Sequence, residues 1–275
     1  MSDDALDDQL RYSVDAGIAR LTLNRPQAGN ALTPDQRDRI IALLEAASAD
    51  VAIRVVVLGA EGRHFCTGAD LRVDRGDGPD RPPDAPERPT GTVARMIAMG
   101  AQRLIAAVLD CEKPVIAAVG GTAAGIGAHL ALASDLVVAS EEARFIEVFV
   151  RRGIIPDGGG AYLLPRLVGL HRAKELVFFG DDLSAADAAR IGLVNKVVPG
   201  AELEAAVDEW ARRLASGPTV AIGLAKRLLN RSSESDRLTA FAEEAAAQEL
   251  AMSSVDAQEG VASFVERRPT EFKGW

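Results

Sequence analysis

Along the first two hundred residues, short apolar runs of strand length alternate with longer stretches of helical period. Tyr12 to Leu23 alternates, with Ile18, Leu21 and Leu23 on the apolar side, and predicts a two-stranded hairpin turning near Asp15-Ala16-Gly17. Asn24-Arg25-Pro26 ends it. Ile40, Ile41, Leu43 and Leu44 form a helical stripe running to about Ser48, with Thr33 placed as N-cap and Pro34 at the first helical position. Arg54 to Leu58 predicts a short buried strand and Gly59 to Arg63 a turn. Asp74 to Thr90 is crowded with Pro, Asp, Arg and Gly and predicts a surface loop, followed by a helix over Thr92 to Leu109.

The centre of the pattern is Pro114 to Ser134, a stretch without a charged residue. Val115 to Val119 is an unbroken apolar run, as for a strand buried on both faces. Gly120, Gly121, Gly125 and Gly127 let the backbone turn sharply and approach a neighbour closely. Ala128 to Ala133 then predicts a helix, whose N-terminus would offer free N–H groups to negative charge. Three rival readings compete with that one. A membrane span is opposed by the four glycines, by Thr122 and His129 and by Asp135 just beyond. A dinucleotide loop lacks the G-x-G-x-x-G spacing. Tight helix–sheet packing alone would also use these glycines.

Beyond this stretch, Asp135 to Ala139 predicts another buried strand and Arg144-Phe145-Ile146 a short extended piece. Gly153 to Gly160 is a second glycine-rich loop, with a short helix over Ala161 to Val168. Lys174 to Phe179 is helical, Ser184 caps a helix through Arg190, and Leu193 to Val198 is the last strand. After about Ala201 only helical periods remain, clearest over Ala201–Ser216, Val220–Leu229 and Ser235–Met252. The pattern is that of an α/β core over residues 1–200 and an all-helical region over 201–275.

Composition narrows the chemistry. The 275 residues carry a net charge of −9, which disfavours nucleic acid or an anionic membrane as partner. Two cysteines, Cys66 and Cys111, and three histidines, His64, His129 and His171, give neither a disulfide framework nor metal-ligand spacing. The acidic start, MSDDALDD, has no apolar core of a secretory signal and is unlike an Arg-rich transit peptide, so a cytoplasmic protein is expected.

Two loops stand out together: Cys66-Thr67-Gly68-Ala69-Asp70-Leu71 and Gly120–His129. Each places small residues where a strand ends, and one N–H from each could converge on one oxygen. With Leu23-Asn24-Arg25-Pro26, Asn30-Ala31-Leu32, Gly68-Ala69-Asp70-Leu71, Lys113 to Val119, Gly125-Ile126-Gly127, Gly153-Ile154-Ile155-Pro156, Gly159-Gly160 and Ala189 to Val194, in that order, the chain resembles the crotonase superfamily, also called the enoyl-CoA hydratase/isomerase family. The resemblance implies a superhelix of strand–strand–helix turns with C-terminal helices that build trimers or hexamers. It implies an acyl-CoA thioester as substrate, with coenzyme A present only as part of it. The thioester oxygen would sit in an oxyanion hole made by the N–H groups of Ala69 and Ile126, which stabilise an enolate. Coenzyme A contacts are expected from Arg25, Gly68, Ala69, Asp70, Leu71, Gly125 and Lys273, the last on a tail that completes the site. Phe264, Phe272 and Trp275 are expected to pack that tail against a neighbouring subunit.

The resemblance also marks departures. The places of the two hydratase glutamates hold His129 and Phe149. His129 is either a proton carrier or a helix histidine hydrogen-bonded in the pocket. Asp157, in Ile155-Pro156-Asp157-Gly158-Gly159, stands where family members that shift double bonds carry aspartate. It is either the acid–base group or a cap of the following helix. Glu147 is the reserve carboxylate. The expected activity is therefore double-bond isomerisation with Asp157 as proton shuttle. The alternatives are hydration of a 2-enoyl-CoA, using His129 or Asp157, and a non-catalytic acyl-CoA-binding subunit.

Overall fold

The computed structural model describes residues 3–72, 82, 84, 86 and 89–275, so the loop expected over Asp74–Thr90 lies largely outside the described residues. After an N-terminal helix α1 (Asp3–Gln9), strands β1 (Leu10–Asp15) and β2 (Ile18–Leu23) form the expected hairpin, with Leu10 opposite Leu23 and Asp15 opposite Ile18. Ala16 and Gly17 make its turn, both at positive φ. Helix α2 (Pro34–Ala49) starts at a complete capping box: Thr33 accepts from the Gln36 N–H, and the Gln36 side chain accepts from the Thr33 N–H.

Each following turn of the chain lays one strand in each of two sheets. β3 (Val55–Ala60), β5 (Val115–Val119), β7 (Leu136–Ser140) and β10 (Lys196–Val198) extend the hairpin into a six-stranded sheet of order β1-β2-β3-β5-β7-β10, parallel from β2 onward. β4 (His64–Cys66), β6 (Thr122–Ala124), β8 (Arg144–Ile146) and β9 (Asp182–Ser184) form the second sheet, order β4-β6-β8-β9. The helices between are α3 (Thr92–Ile97), α4 (Arg103–Asp110), α5 (Ile126–Ala133), α6 (Gly160–Val168), α7 (Leu170–Phe179) and α8 (Ala185–Arg190). β3-β4-α4, β5-β6-α5 and β7-β8-α6 are thus successive strand–strand–helix turns of a superhelix. Val55 to Leu58 and Val115 to Ala117 are buried on both faces, which is why they read as unbroken apolar runs.

The structure corrects the sequence expectation at two places. Gly120 and Gly121 do not lead straight into a helix: β6 intervenes, and the chain crosses there between the two sheets. A Cβ on Gly121 would lie 1.8 Å from the Arg63 carbonyl oxygen, so only glycine permits the crossing. The helix over Thr92–Leu109 is interrupted by a π-helical turn, Ala98–Gln102, between α3 and α4. Taken as one helix, Thr92–Asp110 is long and apolar enough to cross a membrane, but Leu104, Ile105 and Val108 of α4 are packed into the core.

After β10 only helices follow: α9 (Leu203–Ala215), α10 (Thr219–Arg231), α11 (Arg237–Met252) and α12 (Val255–Glu266). α9 lies on the outer face of the six-stranded sheet, where Val207, Ala211 and Ala215 join Val55, Val57, Ile116 and Val138 in a second core. The main core lies on the sheet's other face, between α2, α4 and α5. α10 is tied to the core by the buried Lys226, whose ammonium donates to the Val108 and Lys113 carbonyls and pairs with Asp135 at 2.8 Å. The last residues fold back on α12 of the same chain, where Asp256 accepts from the N–H groups of Lys273 and Gly274.

Candidate active site

β4 and β6 are parallel neighbours, so the loops that follow them emerge side by side. A Cβ on Gly127 would lie 2.2 Å from the Cys66 carbonyl oxygen, so glycine is what lets the loops touch. Gly68 and Gly125 both sit at positive φ, +116° and +54°, and set the direction of the next peptide N–H. The Leu32 N–H donates to the Gly68 carbonyl and the Asp70 N–H to the Leu32 carbonyl, each at 2.8 Å. These bonds clamp the chain on both sides of Ala69 and turn its own N–H away from Leu32. Ile126 opens α5, so its N–H has no partner in the helix. Among the described residues neither the Ala69 nor the Ile126 N–H donates to a backbone carbonyl.

Arg25 buttresses the first of these loops from behind. Its guanidinium donates to the Ala31 carbonyl at 2.8 Å and to Asp70 at 2.9 Å, and its side chain is largely enclosed. Asp70 also accepts from the Arg72 guanidinium and backbone N–H. The Arg72 hydrogen bond, with help from Arg25, brings the Asp70 carboxyl down to about 2.

The second glycine loop closes over α5. A Cβ on Gly158 would lie 2.5 Å from the Ile126 side chain and 3.2 Å from Ala101 in the π-helical turn. One on Gly160 would lie 2.2 Å from Nε2 of His129. Asp157 therefore stands where the loop meets Ile126, partly exposed. The cap of α6 is Gly159, with no side-chain cap bond, so the carboxyl of Asp157 is not spent as a helix cap. Burial pushes its pKa up from the ordinary 3.8, opposed by the charge of His129. His129 itself has no exposed surface. Its Nε2 is 3.0 Å from Oε2 of the buried Glu147, and its ring stacks on Phe149 with centroids 5.2 Å apart. Of the two readings of His129, proton carrier or hydrogen-bonded helix histidine, its burial and its bond to Glu147 fit the second.

The sequence model described as enoyl-CoA hydratase/isomerase matches residues 13–275. The chain belongs to the enoyl-CoA hydratase/isomerase family. A relative named 1,2-epoxyphenylacetyl-CoA isomerase from Escherichia coli K12 is 37% identical, over 95% of this chain and 97% of its own. One named short-chain-enoyl-CoA hydratase, from Clostridium acetobutylicum, is 36% identical over 92% and 93%. The solved structure of an enoyl-CoA hydratase from Bacillus anthracis superposes with a TM-score of 0.87 at 32% identity, covering 97% of this chain and all of that one. The crotonase fold expected from the motifs is thereby shown.

Within this family member the motifs converge unevenly. Gly68, Ala69, Gly125 and Ile126 lie on the two touching loops, and the loop of Asp157 meets Ile126. Leu71, expected among the coenzyme A contacts, is 64% exposed on the loop of Ala69. Arg25 faces Asp70 rather than open solvent. Lys273 lies beside Arg54, at the start of β3, because Gly274 and the Phe272 carbonyl both meet the Arg54 side chain. The tail's hydrogen bonds, from Arg54 and to Asp256, join it to the start of β3 and to α12 rather than to the loops of Ala69 and Ile126. Phe264 and Trp275 are largely exposed on it. A groove between α10 and α11, lined by Leu224, Leu228 and Phe241, lies in the helical region away from the site. Sequence reasoning missed the Glu147–His129 contact and the approach of Ala101, since neither pair is close in sequence or carries a motif.

Proposed function

We propose that the protein is an acyl-CoA isomerase that moves a double bond through an enolate, with Asp157 as its single acid–base group. The Ala69 and Ile126 N–H groups are the donors to the thioester oxygen. The observation that carries this reading is the placement of Asp157: partly exposed, uncommitted as a cap, and in a loop pressed against Ile126. A carboxylate raised in pKa by its surroundings is a better base than one in water.

The steps need one base. In the direction from 2-enoyl to 3-enoyl thioester, the Asp157 carboxylate takes a proton from C4. The C–H pair becomes the C3–C4 double bond, the former C2–C3 pair becomes a C1–C2 double bond, and the carbonyl π pair moves onto the thioester oxygen. That oxygen is held by two amides in a partly dry site, where each donor contributes about 3–4 kcal/mol to the transition state. Asp157 then returns the proton to C2. Coenzyme A enters as part of the substrate, with Gly68 and Gly125 shaping its approach and the exposed Arg72 beside the loop able to meet its anionic groups. The positions that the motifs align with the hydratase glutamates hold His129 and Phe149, stacked on each other and buried. That arrangement leaves no carboxylate pair there to hold a water.

The test supplies 2-enoyl- and 3-enoyl-CoA of equal chain length and identifies each product by mass. An isomer of unchanged mass is expected, and its formation should be lost in D157N. A product heavier by one water would replace this reading with hydration, the activity in the name of the Clostridium acetobutylicum relative. Binding without turnover of either substrate would make the chain a carrier of acyl-CoA. We further take the exposed helical surfaces of α11 and α12 as contacts in a homotrimer or hexamer, measurable by light scattering.

A further inference from the structure

Glu147 and Phe149 are buried, while Val148 and Val150 between and beyond them are more open, so the chain leaving β8 turns both of the former inward. There they meet one ring. Oε2 of Glu147 is 3.0 Å from Nε2 of His129 and fixes the edge of the imidazole. The Phe149 ring lies over its face, 5.2 Å between centroids and 13° from parallel. Offset stacking at that distance is a favoured aromatic contact and needs no charge on the imidazole. β6 and β8 are parallel neighbours, so Phe149 also reaches the loop after β6: a Cβ on Gly125 would lie 3.7 and 3.9 Å from Cζ and Cε2 of its ring. The next residue is Ile126. On the other side, a Cβ on Gly160 would lie 2.2 Å from Nε2 of His129, so the loop of Asp157 closes on the same stack. The Ile154 N–H donates to the Phe149 carbonyl at 3.2 Å, which ties the start of that loop to the same residue.

We propose that Phe149 determines the specificity of the reaction: its ring, held flat on His129, closes the wall between the Ile126 donor and the Asp157 loop to water. The inference rests on the reading of Asp157 as the base. Two competing outcomes need water at that wall. Water attacking C3 gives hydration. Water exchanging with the protonated Asp157 carboxyl replaces the proton that belongs on C2. An apolar ring offers no hydrogen bond to hold a water, and closing a site against solvent is what prevents such leakage of protons. The proton taken from C4 then stays on Asp157 until C2 receives it, and the isomer keeps the hydrogen atoms of the substrate. Phe149 neither gives nor takes a proton; it acts by filling space.

The test uses 2-enoyl-CoA carrying deuterium at both C4 positions, in ordinary water, with the isomer analysed by mass at low conversion. Direct return leaves both deuterium atoms in the product, one of them now on C2. Exchange on Asp157 replaces one by hydrogen. Wild type should give mostly the doubly labelled isomer. F149A, which removes the ring, should lower the retained fraction by about twofold or more. Retention is a ratio set at one step, so a fall in stability or in kcat alone does not move it. Equal retention in F149A and wild type overturns the proposal. So does a wild-type isomer that carries a single deuterium throughout, since the carboxyl would then meet water with the ring in place. Should F149A not fold, F149V takes its place: valine is apolar but too short to reach Gly125, and the same fall is expected, with unchanged retention overturning the proposal. The absence of any isomer, or an isomer still formed by D157N, would instead overturn the reading of Asp157 beneath it, so the two failures are distinguishable.

Discussion

The α-carbon of Gly127 faces the carbonyl oxygen of Cys66 so closely that a Cβ there would stand 2.2 Å from it. No flexible side chain can yield, because the obstacle is backbone. The contact fixes the separation of the two loops that carry Ala69 and Ile126. G127A should therefore cost about 1–3 kcal/mol of stability by forced displacement. It should also lower kcat by roughly 10²–10³, the loss expected when one oxyanion donor moves out of reach. Urea unfolding and steady-state kinetics on the same preparation separate the two effects. A variant with reduced stability and full kcat would show that the loop spacing is not catalytic.

Arg25 and Asp70 set the back of the first loop. R25A leaves the buried Asp70 with Arg72 alone and should cost about 3 kcal/mol, as for a buried pair broken on one side. The sign of the pH dependence follows from the Asp70 carboxyl, lowered from 3.8 to about 2. A depressed carboxylate adds stability above its unfolded value and loses it as pH falls toward 2. Wild type should thus lose stability between about pH 4 and pH 2 in a way that D70N does not. Parallel acid titrations followed by circular dichroism check this, and identical curves would remove Asp70 from the account.

What the sequence made legible was whatever local chemistry decides. The hairpin turn at Ala16-Gly17, the Thr33 cap and the Ser184 cap follow from neighbouring residues alone, and all are present. The short strand β6 was hidden because Thr122-Ala123-Ala124 is too brief to show a period and has the composition of a loop. The π-helical turn at Ala98–Gln102 was equally hidden, since a single extra residue in a helix leaves no compositional trace. At the site, Ala69, Ile126 and Asp157 could be placed by motif, but the burial of His129 could not. It depends on Gly160 and Phe149, which are distant in sequence and meet the ring only after the superhelix closes.

Lys226 tests how firmly the helical region is joined to the core. Its ammonium answers two carbonyl oxygens and the Asp135 carboxylate in a buried setting. K226M fills the same space but takes this donor from the two carbonyls and leaves the Asp135 carboxylate with the Val115 N–H alone, and should cost about 3–5 kcal/mol. Hydrogen exchange should show the loss first in α10, with β5 less affected. Uniform exchange across the chain would mean that α10 is held by its apolar contacts instead.

Asp157 should trade stability for function, and the sign can be worked out. Its pKa is raised on folding, chiefly by burial, so the folded chain binds this proton more readily than the unfolded chain. Stability then falls as pH rises from the ordinary value of 3.8 through the folded value, and ionised Asp157 weighs against folding at neutral pH. D157N carries no charge and escapes that cost. Its Tm should exceed that of wild type at pH 7, and the difference should vanish below the ordinary carboxylate range, where both chains are neutral at this position. The same substitution should abolish isomerisation under the reading given above. A D157N variant that is less stable than wild type at pH 7 would show that favourable bonds, rather than burial, hold this carboxylate, and the case for a base poised by its surroundings would fall with it.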